Sequence, residues 1–399
     1  MQPPFQPERI NGPPVVLAVP ALPLPTPPER TTRITVDLAA LVHNLGLIRQ
    51  RAAPAGVCAV VKGDAYGHGM LPVAQALAAA AVDWLAVVWL EDGLALRRAG
   101  IRCPILVMAG ELHVPAAAAA LVAHALTPVI STTAELDLLA AAAPASGLEV
   151  HLEVDTGMSR LGVPLAQLAA TCQALAARPQ LRLTGLMSHF ATADRPGQPE
   201  NERQLHRWRQ AQAIVAAAGL RPRWQHVAHS AATLTLPECH EQLVRCGLLL
   251  YGLDPMQPPL AAGLAPILSW QTEIVALRQL PAGTPVSYHG RWRATRPSQI
   301  ATLPVGYADG YRRGMTGRAQ VLIQGQRCPV IGTICMDFCM VDVTQLTTVA
   351  LGEPVILLGR QGTEQIDAHE MAAWADTIAY EITCGISPRL PRRYLCQEA

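Results

Sequence analysis

The chain is poor in charge and in aromatic side chains. Asp, Glu, Lys and Arg make up 15% of its 399 residues, and Phe, Trp and Tyr 4%. The formal net charge is +1, so no basic field draws the protein to nucleic acid or to an anionic membrane. No apolar run reaches the roughly 20 residues of a membrane-spanning helix. The ten cysteines contain no CxxC pair, and Cys335 and Cys339 lack His or Cys partners at metal-ligand spacing. Neither a metal site nor a disulfide framework is expected, and the thiols read as reduced, in the cytoplasm. The apolar stretch 15–24 is interrupted by Pro20 and Pro23 and preceded by one basic residue, Arg9, so export is not expected.

Hydrophobic residues make up 50% of the chain, enough for a large core. Residues 1–30 hold ten prolines and read as an extended arm. Regular structure is expected from residues 33–38 (RITVDL), followed by a helix from Asp37 to about Arg51 with Asp37 as its N-cap. Eight apolar stretches of strand length follow, at 57–61, 84–88, 104–108, 126–130, 149–154, 182–187, 224–228 and 243–246. Helical patterns such as 133–143 and 201–218 lie between them. That alternation implies a parallel sheet, and eight repeats suggest a closed (β/α)8 barrel over residues 31–266. An open doubly wound sheet is the second choice, but no glycine-rich dinucleotide fingerprint follows the first strand. From about Ser269 short strands (271–277, 299–304, 318–323, 354–358) alternate with Gly- and Pro-bearing turns, and one helix is expected at 367–375. Residues 267–399 therefore read as a mainly β domain.

Polar residues gather where the barrel strands end, the face on which barrel enzymes place their sites. The first strand runs into Lys62-Gly63-Asp64-Ala65-Tyr66-Gly67-His68-Gly69. A lysine ending a buried strand loses hydration, so its amine becomes a usable nucleophile that can condense with a carbonyl cofactor. A lysine snorkelling at the rim satisfies the same position equally well. The fifth strand ends near Glu153 and Arg160, the sixth in Ser188-His189, the seventh in His229-Ser230, and the eighth carries Arg245-Cys246-Gly247. Any one of these could be structural. Five clusters at one end of five strands point to a site.

Residues 59–69 (AVVKGDAYGHG) resemble the cofactor-lysine signature of alanine racemases. Five further segments fit the same family: 154–162 (VDTGMSRLG), 188–194 (SHFATAD), 305–310 (VGYADG), 332–340 (GTICMDFCM) and 385–392 (GISPRLPR). The resemblance implies an N-terminal (β/α)8 barrel, a C-terminal β domain and a homodimer with shared sites. It also implies interconversion of L- and D-alanine with pyridoxal 5'-phosphate, supplying D-alanine for peptidoglycan. By that resemblance Lys62 holds the cofactor and is one catalytic base, and Tyr288 is the opposing base, reaching across from the partner subunit. Arg245 faces the pyridine nitrogen, with His189 beside it. Tyr66, Ser230, Tyr380, Gly247 and Leu248 form the phosphate cradle. Arg160 contacts the phenolic oxygen and the substrate carboxylate, Met336 donates to that carboxylate across the interface, and Tyr307 stands at the entrance.

Four positions depart from the family pattern. Glu153 replaces a lysine that is carbamylated in most members, His229 replaces asparagine, Gly63 replaces alanine, and His289 stands where glycine is common. Related folds include non-enzymatic carriers of the same cofactor, broad-specificity racemases and basic amino-acid decarboxylases. Tyr288 and the Ile334-Cys335-Met336-Asp337 segment argue against a carrier, and signatures in both halves argue against a decarboxylase. Retention of Tyr380 favours alanine over larger side chains.

Overall fold

The computed structural model describes residues 30–109 and 114–396, so the expected proline-rich arm and the stretch 15–24 lie outside the described residues. Strand β1 (Arg33–Asp37) leads into helix α1 (Leu38–Ala52). Asp37 caps that helix: its Oδ1 accepts from the Ala40 N–H at 2.9 Å, satisfying one of the free donors of the first turn. Leu38, Leu41, Leu45 and Ile48 form its buried stripe, at helical spacing.

All eight apolar runs form strands. They are β2 (Gly56–Val60), β3 (Trp84–Val87), β4 (Ile105–Val107), β5 (Thr127–Ile130), β6 (Leu148–Asp155), β7 (Leu181–Met187), β8 (Trp224–His226) and β9 (Leu243–Cys246). They pair in the order β9-β2-β3-β4-β5-β6-β7-β8. A parallel bridge between His229 and Arg245 joins the two ends, so the barrel is nearly closed. Helices cover it from outside, among them α2 (Met70–Ala79), α3 (Leu90–Arg98), α4 (Pro115–Ala123), α5 (Ala134–Ala142), α6 (Leu165–Ala176), α7 (Pro199–Ala217) and α8 (Ser230–Thr235). Strands covered on both faces carry continuous apolar runs, and Val57, Cys58, Leu85, Ala86, Leu106 and Val107 are all fully buried.

The second half is a mixed sheet. Its further strands are β10 (Leu268–Glu273), β11 (Ala276–Leu280), β12 (Ser298–Leu303), β13 (Gln320–Ile323), β14 (Gln326–Ile331), β15 (Cys339–Asp342), β16 (Pro354–Gln361), β17 (Glu364–Ile366) and β18 (Arg392–Leu395). The order is β11-β12-β15-β14-β13-β16-β10-β1-β18, with β17 on β16. Three expectations need correction. The single strand expected at 271–277 is two strands at distant places in the sheet. Strand β1, grouped with the barrel by position in the chain, pairs antiparallel with β10 and parallel with β18. Among the described residues two α-helices remain rather than one: α9 (Ala368–Ala375), capped by Asp367 on the Glu370 N–H, and α10 (Ala379–Cys384). The β1 pairings tie the two halves together, because β1 runs directly into α1 of the barrel.

Candidate active site

The strand ends converge on a cavity of about 1640 Å³ lined by Lys62, Tyr66, Glu153, Arg160, His189, Ser230, Arg245, Gly247, Leu248 and Tyr380. Lys62 lies two residues beyond β2. Burial lowers its amine pKa, and the charges of Arg160 and Arg245 lower it further. Lys62 lines the cavity, partly stripped of water, which favours the nucleophile over a lysine snorkelling at the rim. The chain after it winds the unusual way. Gly63, Asp64, Ala65 and Tyr66 have φ between 52° and 60°, a left-handed helical turn. Such backbone costs roughly 1–2 kcal/mol for each non-glycine residue. The turn carries the amine at its start and the Tyr66 ring at its end.

Tyr66 is buried between Tyr251, with ring centroids 4.9 Å apart, and Tyr380, at 5.8 Å. Ser230 opens α8, and its Oγ accepts from the Gly247 N–H at 3.1 Å and the Leu249 N–H at 3.4 Å. A Cβ on Gly247 would sit against the Tyr66 hydroxyl, so only glycine lets the backbone come this close. Hydroxyls and backbone donors meeting at a bare glycine form a cradle suited to a phosphate.

Arg245 is buried, and both its Nη groups are engaged. It donates to His226 Nδ1 at 2.8 Å, the His226 carbonyl at 2.6 Å, the Ser188 carbonyl at 2.6 Å and His189 Nδ1 at 3.3 Å. A guanidinium only donates, so His226 Nδ1 accepts and its proton sits on Nε2. That Nε2–H donates to His151 Nδ1 at 2.9 Å, leaving the His151 proton on a buried, unpartnered Nε2. Burial and Arg245 hold the His151 pKa near 3, and burial, Arg245 and His151 hold that of His226 well below the usual range. The pair is neutral, and its tautomers are fixed by the arginine. Room for the His151 ring comes from its pairing partner Gly185 on β7, where a Cβ would collide with the imidazole.

Glu153 is buried. It accepts from Ser131 Oγ at 3.3 Å and makes no ion pair with Arg160 among the described residues. Burial raises its pKa, opposed by Arg245 and Arg160. His229 accepts from the Ala231 N–H through Nδ1 at 3.2 Å and packs 4.8 Å from His189. Burial lowers its pKa to about 4, so it acts as a neutral cap on α8.

Tyr288, Met336 and Tyr307 lie apart from this cavity. Their exposures are 64%, 55% and 41%. Backbone and side chains stitch their loops into one face of the β domain. Thr333 Oγ1 donates to the Tyr288 carbonyl at 3.1 Å, Ser287 Oγ to the Thr333 carbonyl at 2.7 Å, and the Tyr307 N–H to the Cys335 carbonyl at 3.0 Å. Within one chain the residues expected at the site thus form two groups. Sequence reasoning missed His151, His226 and Tyr251. Polar residues at inward positions of β6 and β8 were the available signal for the two histidines.

Two family models cover most of the chain. The alanine racemase N-terminal domain matches residues 36–255, and the alanine racemase C-terminal domain matches 267–394. The chain belongs to the alanine racemase family. An alanine racemase of Symbiobacterium thermophilum is 44% identical over 92% of this chain and 97% of its own length. One of Desulfovibrio desulfuricans is 39% identical over 92% and 99%. Among solved structures, the alanine racemase of D-cycloserine-producing Streptomyces lavendulae superposes with a TM-score of 0.88 at 35% identity, over 94% of this chain and 99% of that one. The Bacillus anthracis alanine racemase with bound L-Ala-P gives 0.85 at 34%, over 93% and 97%. Two departures from the pattern the resemblance implies fall on left-handed backbone, and only one of them, Gly63, relieves strain. His289 has φ 63°, so a glycine there is the unstrained choice, and histidine is among the residues that tolerate this region. Gly63, at φ 60°, is the unstrained choice where other members carry alanine.

Proposed function

We propose that this protein interconverts L- and D-alanine in the cytoplasm, with pyridoxal 5'-phosphate held on Lys62, and so supplies D-alanine for peptidoglycan. The observation that carries the reading is the convergence of a desolvated Lys62 amine, the bare-backbone cradle at Gly247 and the fixed Arg245 cation on one cavity. When bound, the cofactor supplies an electron sink for the α-carbon.

Racemisation requires a proton to leave one face of that carbon and return on the other. Lys62 Nζ serves one face. Tyr288 serves the other, and its exposure on a separate face of the β domain fits delivery to the cavity of a second copy of the chain. Met336 and Tyr307 travel with it. The cavity is larger than the few hundred to 1,000 Å³ typical of small-molecule sites, which leaves room for a neighbour's loop. Arg160 binds the substrate carboxylate. Arg245 does not give up its proton at any working pH, and four acceptors on His226, Ser188 and His189 prevent it from turning away. Tyr66, Ser230, Tyr380 and the Gly247 and Leu248 backbone bind the phosphate.

The purified protein should be yellow, and borohydride should fix the cofactor to Lys62. Lys62→Ala should abolish racemisation in an assay over a panel of L-amino acids. A label on another lysine, or a substrate other than alanine turned over fastest, would overturn the reading.

A further inference from the structure

The left-handed turn at residues 63–66 is tied to its own loop by the Met70 N–H on Asp64 Oδ1 at 2.7 Å and by the Gly69 N–H on the Asp64 carbonyl at 2.9 Å, but its internal ladder does not choose its hand. The Ala65 N–H donates to the Val61 carbonyl at 2.9 Å and the Gly67 N–H to the Gly63 carbonyl at 3.0 Å. A right-handed turn would make the same kind of bonds without placing Asp64, Ala65 and Tyr66 at positive φ. Strained backbone persists where its surroundings over-determine it, so the handedness must be held from outside.

Tyr66 packs on Tyr251 of the barrel half, and the contacts at the far end of the turn come from the other domain. Arg392, the first residue of β18, donates from Nε to the Gly67 carbonyl at 3.0 Å. Three further donors go to the segment that precedes it: Nη1 on the Ser387 and Leu390 carbonyls, both at 3.3 Å, and Nη2 on the Ile386 carbonyl at 3.2 Å. No carboxylate pairs with it among the described residues. The guanidinium is therefore fixed by three carbonyls of its own domain and offers the fourth bond across the domain boundary. Position is set as well, because Arg392 lies in register with Ile34 of β1. Beside it, the Thr383 carbonyl leaves no room for a Cβ on Gly67, and the Tyr394 hydroxyl leaves none on Gly69. Three groups of the C-terminal segment thus close on the end of the turn whose start is Lys62.

We propose that Arg392 is a positioning residue for the racemase site: it clamps the Gly67 carbonyl and so holds the left-handed turn that aims Lys62 and Tyr66 into the cavity. This rests on the reading of Lys62 and Tyr66 given above. A lysine cannot replace it fully, since one ammonium cannot span four carbonyls in a fixed fork. The competing role is local, with Arg392 merely closing its own 386–390 loop, and it leaves the turn unaffected.

The test compares the holoenzyme of the wild type, Arg392→Gln and Arg392→Lys by amide hydrogen exchange, cofactor absorption and kinetics. In Arg392→Gln, exchange of the amides of residues 63–69 should accelerate at least tenfold while those of β4 and β5 stay unchanged. kcat should fall at least tenfold and the visible band should shift. Arg392→Lys should lie between the two, and it carries the comparison alone if the glutamine variant does not fold. Unchanged exchange at 63–69, or equal acceleration across the whole chain, would overturn the proposal. Borohydride labelling tests Lys62 separately, so failure of the brace and failure of the cofactor reading are distinguishable.

Discussion

At the scale of single residues, Glu153 carries the sharpest question. Its carboxyl is buried beside Ser131, with two arginine charges acting on it through space rather than in a direct ion pair. Burial is the larger influence, so its folded pKa lies above its ordinary value of 4.5. For an acid shifted this way the folded state binds more protons than the unfolded one. Stability is then fully present below the unfolded value and falls as pH rises through the window up to the folded pKa. An ionised Glu153 therefore costs stability and is retained for another reason. We propose that this reason is a negative charge acting on Arg245 and Arg160, in the place of the lysine carbamate that the family resemblance implies. Glu153→Gln should unfold no lower than the wild type at neutral pH. Its kcat/KM should fall by about tenfold to a hundredfold, which corresponds to about 1.4–2.8 kcal/mol of transition-state stabilisation. Wild-type activity should be indifferent to bicarbonate. Near-wild-type kinetics for Glu153→Gln would mean that the carboxylate does not stand in for the carbamate.

At the scale of elements, two glycines of one loop should behave oppositely. A Cβ on Gly63 meets nothing within 4 Å, so Gly63→Ala bears only the left-handed cost, roughly 1 kcal/mol. On Gly67 the added methyl meets the Thr383 carbonyl and the φ is 83°, so the clash adds to the strain. Chemical denaturation should show a small loss for Gly63→Ala and a much larger one for Gly67→Ala. Equal losses would mean that the C-terminal segment does not press on the turn. The sequence reveals such a loop only as glycines around a lysine, since handedness depends on contacts more than 300 positions away, such as that of Arg392 with Gly67. The barrel strands were legible because burial on both faces makes them apolar throughout. The Asp37 cap was legible because capping is local. The place of β1 beside β10 and β18 was not, because pairing across the chain leaves no local pattern. The short helix α10 went unread for lack of length, and the link from Arg245 through His226 to His151 required the strand order.

At the scale of the whole molecule, the division of site residues into two groups makes a demand on assembly. Lys62, Arg160 and Arg245 line the cavity, while Tyr288 and Met336 stand exposed on another face of the same chain. No motion of one loop is needed if a second copy brings its Tyr288 to the first copy's Lys62. Each dimer then has two sites, and each site draws on both chains. A Lys62→Ala chain and a Tyr288→Phe chain should each be inactive alone. After exchange of subunits, a mixed dimer has one site with neither base and one with both. With equal amounts and random pairing, half the dimers are mixed and half of their sites are complete, so about a quarter of wild-type activity should return. The recovery should follow the kinetics of chain exchange, measured independently by mass spectrometry of isotope-labelled subunits. If the chains exchange fully and no activity returns, Tyr288 does not act across an interface. The two bases would then have to meet within one chain, through a rearrangement of the β domain.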